Sequence, residues 1–371
     1  MTNNLAKQWK NLIQNTNSAK ELRAGLVDIY LKNKPQKLEI ILNSHCPNKC
    51  QHCIYHPEYS KFNKNMPSSF WLKHLDKLYK KFGFRHFIFC GRFLSLDNIK
   101  LLKAFKQTHQ DITFGIIITD NICTATKFAI IDLQPDWIDV SMDGTAKAHD
   151  NQRQRPGSFR ATLNMICQFR DAGIKRINIL TCATTLNITT IIKMVKQVNK
   201  LGFKNFFIGA VIARSGWHID QKLIPSSQEI CKLAKVLKKH FGSLNNAYVE
   251  FELYGPDYAQ KLFSGWPELA KRMEPVADHL EYRLQKTNSQ LYIGYYPSSL
   301  VCSSHFIINS NGDILPPLVI QMSKIPSKYV FGNIKHIKNS DQTHHLFVKK
   351  YAFEIYQREL ALEKKLLKGL I

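Results

Sequence analysis

The sequence predicts an α/β chain: a parallel sheet wrapped by helices, followed by a smaller α+β region. Three observations carry that expectation. Apolar runs of strand length alternate with helical patterns from residue 37 to about residue 240, the signature of βα units around a parallel sheet. Gly83, Gly173 and Gly202 stand just past three of the helical patterns, where a left-handed residue closes a helix. Beyond about residue 240 the periodicity weakens and Gly, Pro and Tyr become frequent.

In chain order, residues 1–34 read as one or two basic amphipathic helices, ended by Pro35. A strand follows over 37–43, then strands over 85–90, 112–119, 137–142, 176–182 and 205–211. Between and after them lie helical stretches at 67–82, 96–107, 122–132, 157–172, 188–201 and 226–240. These make six βα units, fewer than the eight of a closed barrel. We place the sheet-forming domain at 35–240 and a C-terminal domain at 241–371. In the latter, Asn311-Gly312 between apolar flanks marks a hairpin over 307–315, and the periodicity of 346–370 marks a final helix.

Composition bounds the function. Of 371 residues 44% are hydrophobic and 22% charged, which is ordinary for a globular protein and excludes disorder and collagen. No apolar run reaches the length of about 18 residues that spans a membrane, and the start has no apolar signal region. Nine cysteines in such a chain point to a reducing cytoplasm rather than a disulfide framework. Lys and Arg exceed Asp and Glu by 52 to 28, a net +24. That field suits acidic partners: nucleic acid, acidic peptides or anionic cofactors. The basic residues are spread along the chain, so nucleic acid is possible but not favoured.

Six cysteines (Cys90, Cys123, Cys167, Cys182, Cys231, Cys302) are scattered, and we read nearly all as small buried hydrophobes. Cys46, Cys50 and Cys53 are different: they form a C-x3-C-x2-C cluster directly after the first strand. Active sites of parallel α/β sheets lie at the carboxyl ends of strands. Three thiolates there can hold an iron–sulfur cube with one iron left open. A zinc site completed by His45, His52 or His56 is the competing reading.

The cysteine cluster in this place resembles the hallmark of the radical S-adenosylmethionine (SAM) superfamily. The resemblance implies a partial (β/α)6 TIM-like barrel, with Cys46, Cys50 and Cys53 holding a [4Fe-4S] cluster whose open iron chelates SAM. A second stretch, Ser141-Met142-Asp143-Gly144 with His149-Asp150, Arg153 and Gly157-Ser158-Phe159, is similar to the S-x-D-G, H-D-x-x-R and G-S-F signature of peptide- and protein-modifying members. Those members carry a C-terminal SPASM or Twitch domain. The resemblance implies that Ser141, Asp143 and Arg153 belong to the SAM site, and an Arg fork suits a carboxylate.

The chain also departs from the family. Where the second strand usually leads into G-G-E-P, the sequence reads Cys90-Gly91-Arg92-Phe93-Leu94-Ser95, with Gly91 kept in the SAM site and no acid at Arg92 or Leu94. Backbone carbonyls or Asp97 would have to serve the SAM amine instead. The usual T-N-G after strand three reads Thr119-Asp120-Asn121. In the C-terminal third, Cys302, the Asn311-Gly312 turn and Phe331-Gly332-Asn333-Ile334 resemble a SPASM-like module, but Pro316-Pro317 replaces an expected cysteine and none follows. One thiolate cannot hold an auxiliary cluster. The expected function is a cytoplasmic radical SAM enzyme that abstracts a hydrogen from a peptide or protein, served by a reducing electron donor. The alternatives are a degenerate iron–sulfur scaffold and an RNA-modifying enzyme.

Overall fold

A computed structural model describes residues 5–16, 18–32, 37–53, 64–90, 94–211, 219–277, 279–297, 305–315 and 330–336, with 55, 58, 61, 327, 363 and 366. Two helices open the chain, α1 (Leu5–Asn15) and α2 (Ala19–Lys32). Six strands follow where the apolar runs predict them: β1 (Lys37–Ile41), β2 (His86–Cys90), β3 (Thr113–Ile118), β4 (Trp137–Ser141), β5 (Ile177–Ala183) and β6 (Asn205–Ala210). All pair parallel with their neighbours. The helices between them are α3 (Ser68–Phe82), α4 (Leu96–Thr108), α5 (Thr124–Leu133), α6 (Ala146–Arg153), α7 (Ser158–Asp171), α8 (Ile191–Lys200) and α9 (Ser227–His240). The short α6 is the one element here that the periodicity does not announce. Its eight residues are mostly polar, so no apolar stripe marks it.

The local chemistry agrees with the boundaries. Gly83, Gly173 and Gly202 all take left-handed backbone, with φ of 70°, 87° and 94°, so each serves as the expected helix terminator. Ser95 with Asn98 and Ser226 with Glu229 form capping boxes at the starts of α4 and α9.

Strands from the last third of the chain extend the same sheet at both edges. Next to β6 lie β7 (Tyr248–Tyr254), β10 (Ser289–Tyr296), β9 (His279–Lys286) and β8 (Glu274–Val276), with α10 (Pro256–Gly265) and α11 (Pro267–Lys271) covering them. Outside β1 lie β11 (His305–Ile308), β12 (Asp313–Leu315) and β13 (Gly332–Asn333). Among the described residues the sheet thus has thirteen strands with β1 to β7 contiguous and parallel, a partial barrel whose edges are carried on by other strands. The predicted hairpin is β11–β12: Gly312 sits at φ 88°, and the Asn311 side chain accepts the Asp313 N–H at 3.0 Å. Cys302, Pro316-Pro317 and the final helix, apart from Glu363 and Leu366, lie outside the described residues. Among the described residues no helix is long and apolar enough to cross a membrane.

Each strand buries alternate residues against the helices. Ile138 and Val140 of β4 and Ile177, Ile179 and Thr181 of β5 face that way, all buried, while Asp139, Ser141, Leu180 and Cys182 face the opposite side. That opposite face leads to the strand ends where the site lies. Its lower part is filled by Trp137, whose ring lies over Gly115 of β3. A Cβ at Gly115 would come 1.9 Å from Trp137 Cε2, and a ring packed in a sheet cannot retreat far. Gly115→Ala is therefore expected to destabilise the protein by about 1–3 kcal/mol or more through overpacking, read as a lowered urea midpoint with unchanged slope.

Candidate active site at the ends of strands β1 and β4

The loop after β1 carries Cys46, Cys50 and Cys53, all half-buried. Its shape is set by side chains on three sides. Asn65 accepts the Ser44 N–H at 2.8 Å, and Asn43 accepts the His45 N–H at 2.8 Å and the Asn65 amide at 2.9 Å. The Gln51 N–H donates to the Gln152 carbonyl at 2.9 Å, and its side-chain amide donates to the Asn151 carbonyl at 2.9 Å. Asn121, after β3, reaches Asn48 at 3.4 Å. The Cys53 N–H closes on the Cys50 carbonyl at 3.2 Å.

Burial pushes the Cys50 thiol up to about 12; Cys53, Asp143 and Cys46 add to the rise, and Arg153 opposes it. In the metal-free protein this thiol is protonated, so a metal must displace its proton on binding. Among the described residues, no three Cys, His, Asp or Glu side chains converge closely enough to hold a single metal ion. The same holds for Cys46, Cys50 and Cys53 themselves, so this arrangement does not distinguish a zinc site from an iron–sulfur cluster. Of the histidines that could complete a zinc site, His52 turns its Nε2 to Asp143 at 3.5 Å, and His56 lies outside the described residues.

The second motif folds onto this loop. Asp143 follows β4 and is fully buried. Its Oδ2 accepts Arg153 Nε at 2.8 Å, and its Oδ1 accepts the Cys182 N–H at 2.9 Å. Burial disfavours the charged carboxylate, but Arg153, then His52 and His149, outweigh it and the Asp143 pKa is lowered. Burial likewise disfavours charged Arg153, yet Asp143 and Cys50 raise its pKa, so the guanidinium stays charged. Burial lowers His52, against Asp143, so the imidazole is neutral. Its Nδ1 is buried without a hydrogen-bond partner among the described residues.

The remaining motif residues have structural tasks. Asp150 accepts the Gly157 and Phe159 N–H groups at 2.7 and 2.8 Å, capping α7. The Asp143 N–H donates to His149 Nδ1 at 2.9 Å, which fixes the proton of the neutral ring on Nε2. Nε2 then faces Ser158 Oγ at 3.1 Å, and Ser158 donates to Asp120 at 2.9 Å, where Arg155 also donates at 2.8 Å. Every donor in this relay meets an acceptor. Phe159 packs edge-on against the His149 ring.

Cys46, Cys50, Cys53, Asp143 and Arg153 are thus gathered in one place, and Ser141 ends β4 beside them, half-buried. Gly91 and Arg92 lie outside the described residues. Leu94 is 2% exposed and packed in the main core. Asp97 is exposed in the first turn of α4. The sequence reading passed over His52, Asp120 and Cys182 as site residues. His52 lies inside the cysteine motif, where the sequence suggests only a zinc ligand. Cys182, read as a small hydrophobe, is half-buried and lies close enough to Cys53 and Cys50 to feel their charge. Its position near the end of β5 was the available signal.

No protein-family profile matches the sequence, and no curated protein does. Solved structures do match in fold. Native anSMEcpe with bound AdoMet superposes with a TM-score of 0.62 at 16% identity, covering 87% of this chain and 82% of its own. Streptococcus suis SuiB gives a TM-score of 0.57 at 17% identity, covering 82% of this chain and 68% of its own. SuiB bound to its precursor peptide SuiA gives 0.56 at 17% identity, covering 81% and 65%. At these identities the likeness is one of fold, and it agrees with the partial barrel and C-terminal extension expected from the motifs.

The buried relay has a pH signature. Burial lowers His149 to about 4, with Arg153 acting the same way and Asp143, Asp120 and Asp150 opposing. The unfolded residue titrates near 6.5. Between these values the unfolded chain binds the proton and the folded one does not, so stability is full above about pH 6.5 and falls as pH drops toward 4. The loss is on the order of 3 kcal/mol. Urea midpoints should fall across that window, and His149→Gln, which cannot titrate, should flatten the dependence.

Proposed function

We propose that the chain is a radical SAM enzyme acting on a peptide or protein. The observation that carries this reading is the three-thiol loop at the end of β1, docked on Asp143 and Arg153 after β4 in a fold shared with an AdoMet-bound and a peptide-bound structure. When bound, a [4Fe-4S] cluster and SAM together supply one-electron cleavage of a sulfonium and removal of hydrogen from an unreactive C–H bond.

The chain's own residues would bind, orient and balance charge. Cys46, Cys50 and Cys53 would hold the cluster, and the buried Arg153 cation beside Cys50 supports its thiolate. Arg153 spends only Nε on Asp143. Its terminal nitrogens remain a fork for the SAM carboxylate, with the Ser141 hydroxyl and the Gly91 backbone as further contacts. The helix-free face of β7 and β10 carries Tyr248, Glu250, Tyr292 and Tyr296, with both Tyr248 and Tyr296 donating to Glu250. Glu250 is buried with both oxygens taken, so what this face would offer a peptide is aromatic. A reducing electron donor completes the system, in a cytoplasmic setting that would keep nine thiols reduced.

Anaerobically purified protein should be brown with about four irons per chain, and Cys46, Cys50 and Cys53 changed together to Ala should remove all of it. One zinc and no iron would overturn the reading. Reduction in the presence of SAM should release 5′-deoxyadenosine. Full iron without that product, and without any change in the electron paramagnetic resonance signal at millimolar SAM, would leave a scaffold protein instead.

A further inference from the structure

Asp143 has no edge left for a cofactor. It is fully buried; Oδ1 is taken by the Cys182 N–H, Oδ2 by Arg153 and faced by His52, and its own N–H is held by His149. Four segments of chain therefore meet on one residue: the end of β4, helix α6, strand β5 and the cysteine loop. The membership in the SAM site that the motif implies for Asp143 cannot be direct contact.

What it holds can be read from the last three residues of α6. The carbonyls of Asn151 and Gln152 accept the Gln51 side-chain amide and the Gln51 N–H. The next residue, Arg153, is gripped by Asp143. From the loop itself His52, the neighbour of Gln51, also turns to Asp143. The loop and the helix end are thus joined to each other by Gln51 and to the sheet by Asp143. A buried carboxylate removed from this junction would leave Arg153 as an uncompensated cation under the loop.

We propose that Asp143 is a positioning residue that docks the cysteine loop against the end of α6, fixing the backbone of that loop before any iron arrives. The purpose of the loop rests on the radical SAM reading; the docking does not, and it can be tested in metal-free protein.

The test is amide hydrogen exchange on the full-length metal-free chain. The reporters are Gln51, whose N–H crosses the loop–helix junction, and Cys53, whose N–H closes the loop. In Asp143→Asn both should exchange about tenfold faster or more, while Ile116, Ile138 and Ile179 in the sheet keep their protection. His52→Phe should accelerate the same two amides less. The double variant should be no faster than Asp143→Asn alone, because both act through one junction. Where Asp143→Asn does not fold, Arg153→Lys, which keeps the charge and loses the fork, should give an intermediate acceleration. Unchanged Gln51 and Cys53 exchange in Asp143→Asn, or in Arg153→Lys if that is the variant that folds, overturns the proposal. So does a strictly additive double variant. A protein that binds no iron but shows the exchange pattern would end the radical SAM reading and leave the docking intact. In iron-loaded protein, the positioning role also predicts slower iron uptake and an altered paramagnetic resonance line shape for Asp143→Asn.

Discussion

The site depends on one buried ion pair. Asp143 and Arg153 lie 2.8 Å apart with exposures of 0% and 6%, where neither charge could stand alone. Removing one partner of such a pair costs about 3–5 kcal/mol, because the other charge stays behind without water. A well-packed apolar pair would serve stability equally well. The pair is therefore better explained by what it fixes: a cation beside Cys50, the end of α6, the first turn of chain after β4 and the top of β5. Gly144 shows how tight that corner is. It takes φ 88°, and a Cβ there would lie 2.4 Å from Thr190 Oγ1.

This constraint gives the second motif its meaning. As a string it suggests ligands, yet most of its side chains are spent on the protein. Asp150 caps a helix, His149 and Ser158 relay hydrogen bonds between two loops, and Phe159 packs on the relay. What remains free to face a cofactor is small: the outer nitrogens of Arg153 and the hydroxyl of Ser141.

Much of this was legible in the sequence because it is local or periodic. The six strands and their helices follow from apolar runs, and Gly83, Gly173 and Gly202 mark helix ends by a conformation few other residues adopt. The cysteine loop was legible from its spacing. The less legible parts depend on tertiary partners. The polar α6 has no apolar stripe, and β7 to β10 read as irregular because their helix-free face is lined with Tyr, Glu and Gln rather than with a periodic polar pattern. Leu94 shows the limit most clearly: the G-G-E-P motif offers it, with Arg92, as the place of a missing acid, and only the structure shows its side chain buried in the main core.

The placement of Leu94 sharpens the question of how an amine would be recognised at this site. Asp120 is already occupied by Arg155 and Ser158, and Asp143 by Arg153 and the Cys182 N–H. Two hydroxyls are differently placed. Ile118 pairs with Val140, so the next residues, Thr119 and Ser141, stand side by side at the tops of β3 and β4. Thr119 Oγ1 is buried with no partner among the described residues. A hydroxyl accepts from an ammonium but contributes less than a carboxylate, since a neutral acceptor lacks the charge assistance that roughly doubles such a bond. The cationic fork of Arg153 meets a carboxylate at full strength. On the proposed reading the described residues therefore offer more to the acid end of an amino acid than to its amine. That asymmetry follows from which polar groups the fold has left unspent.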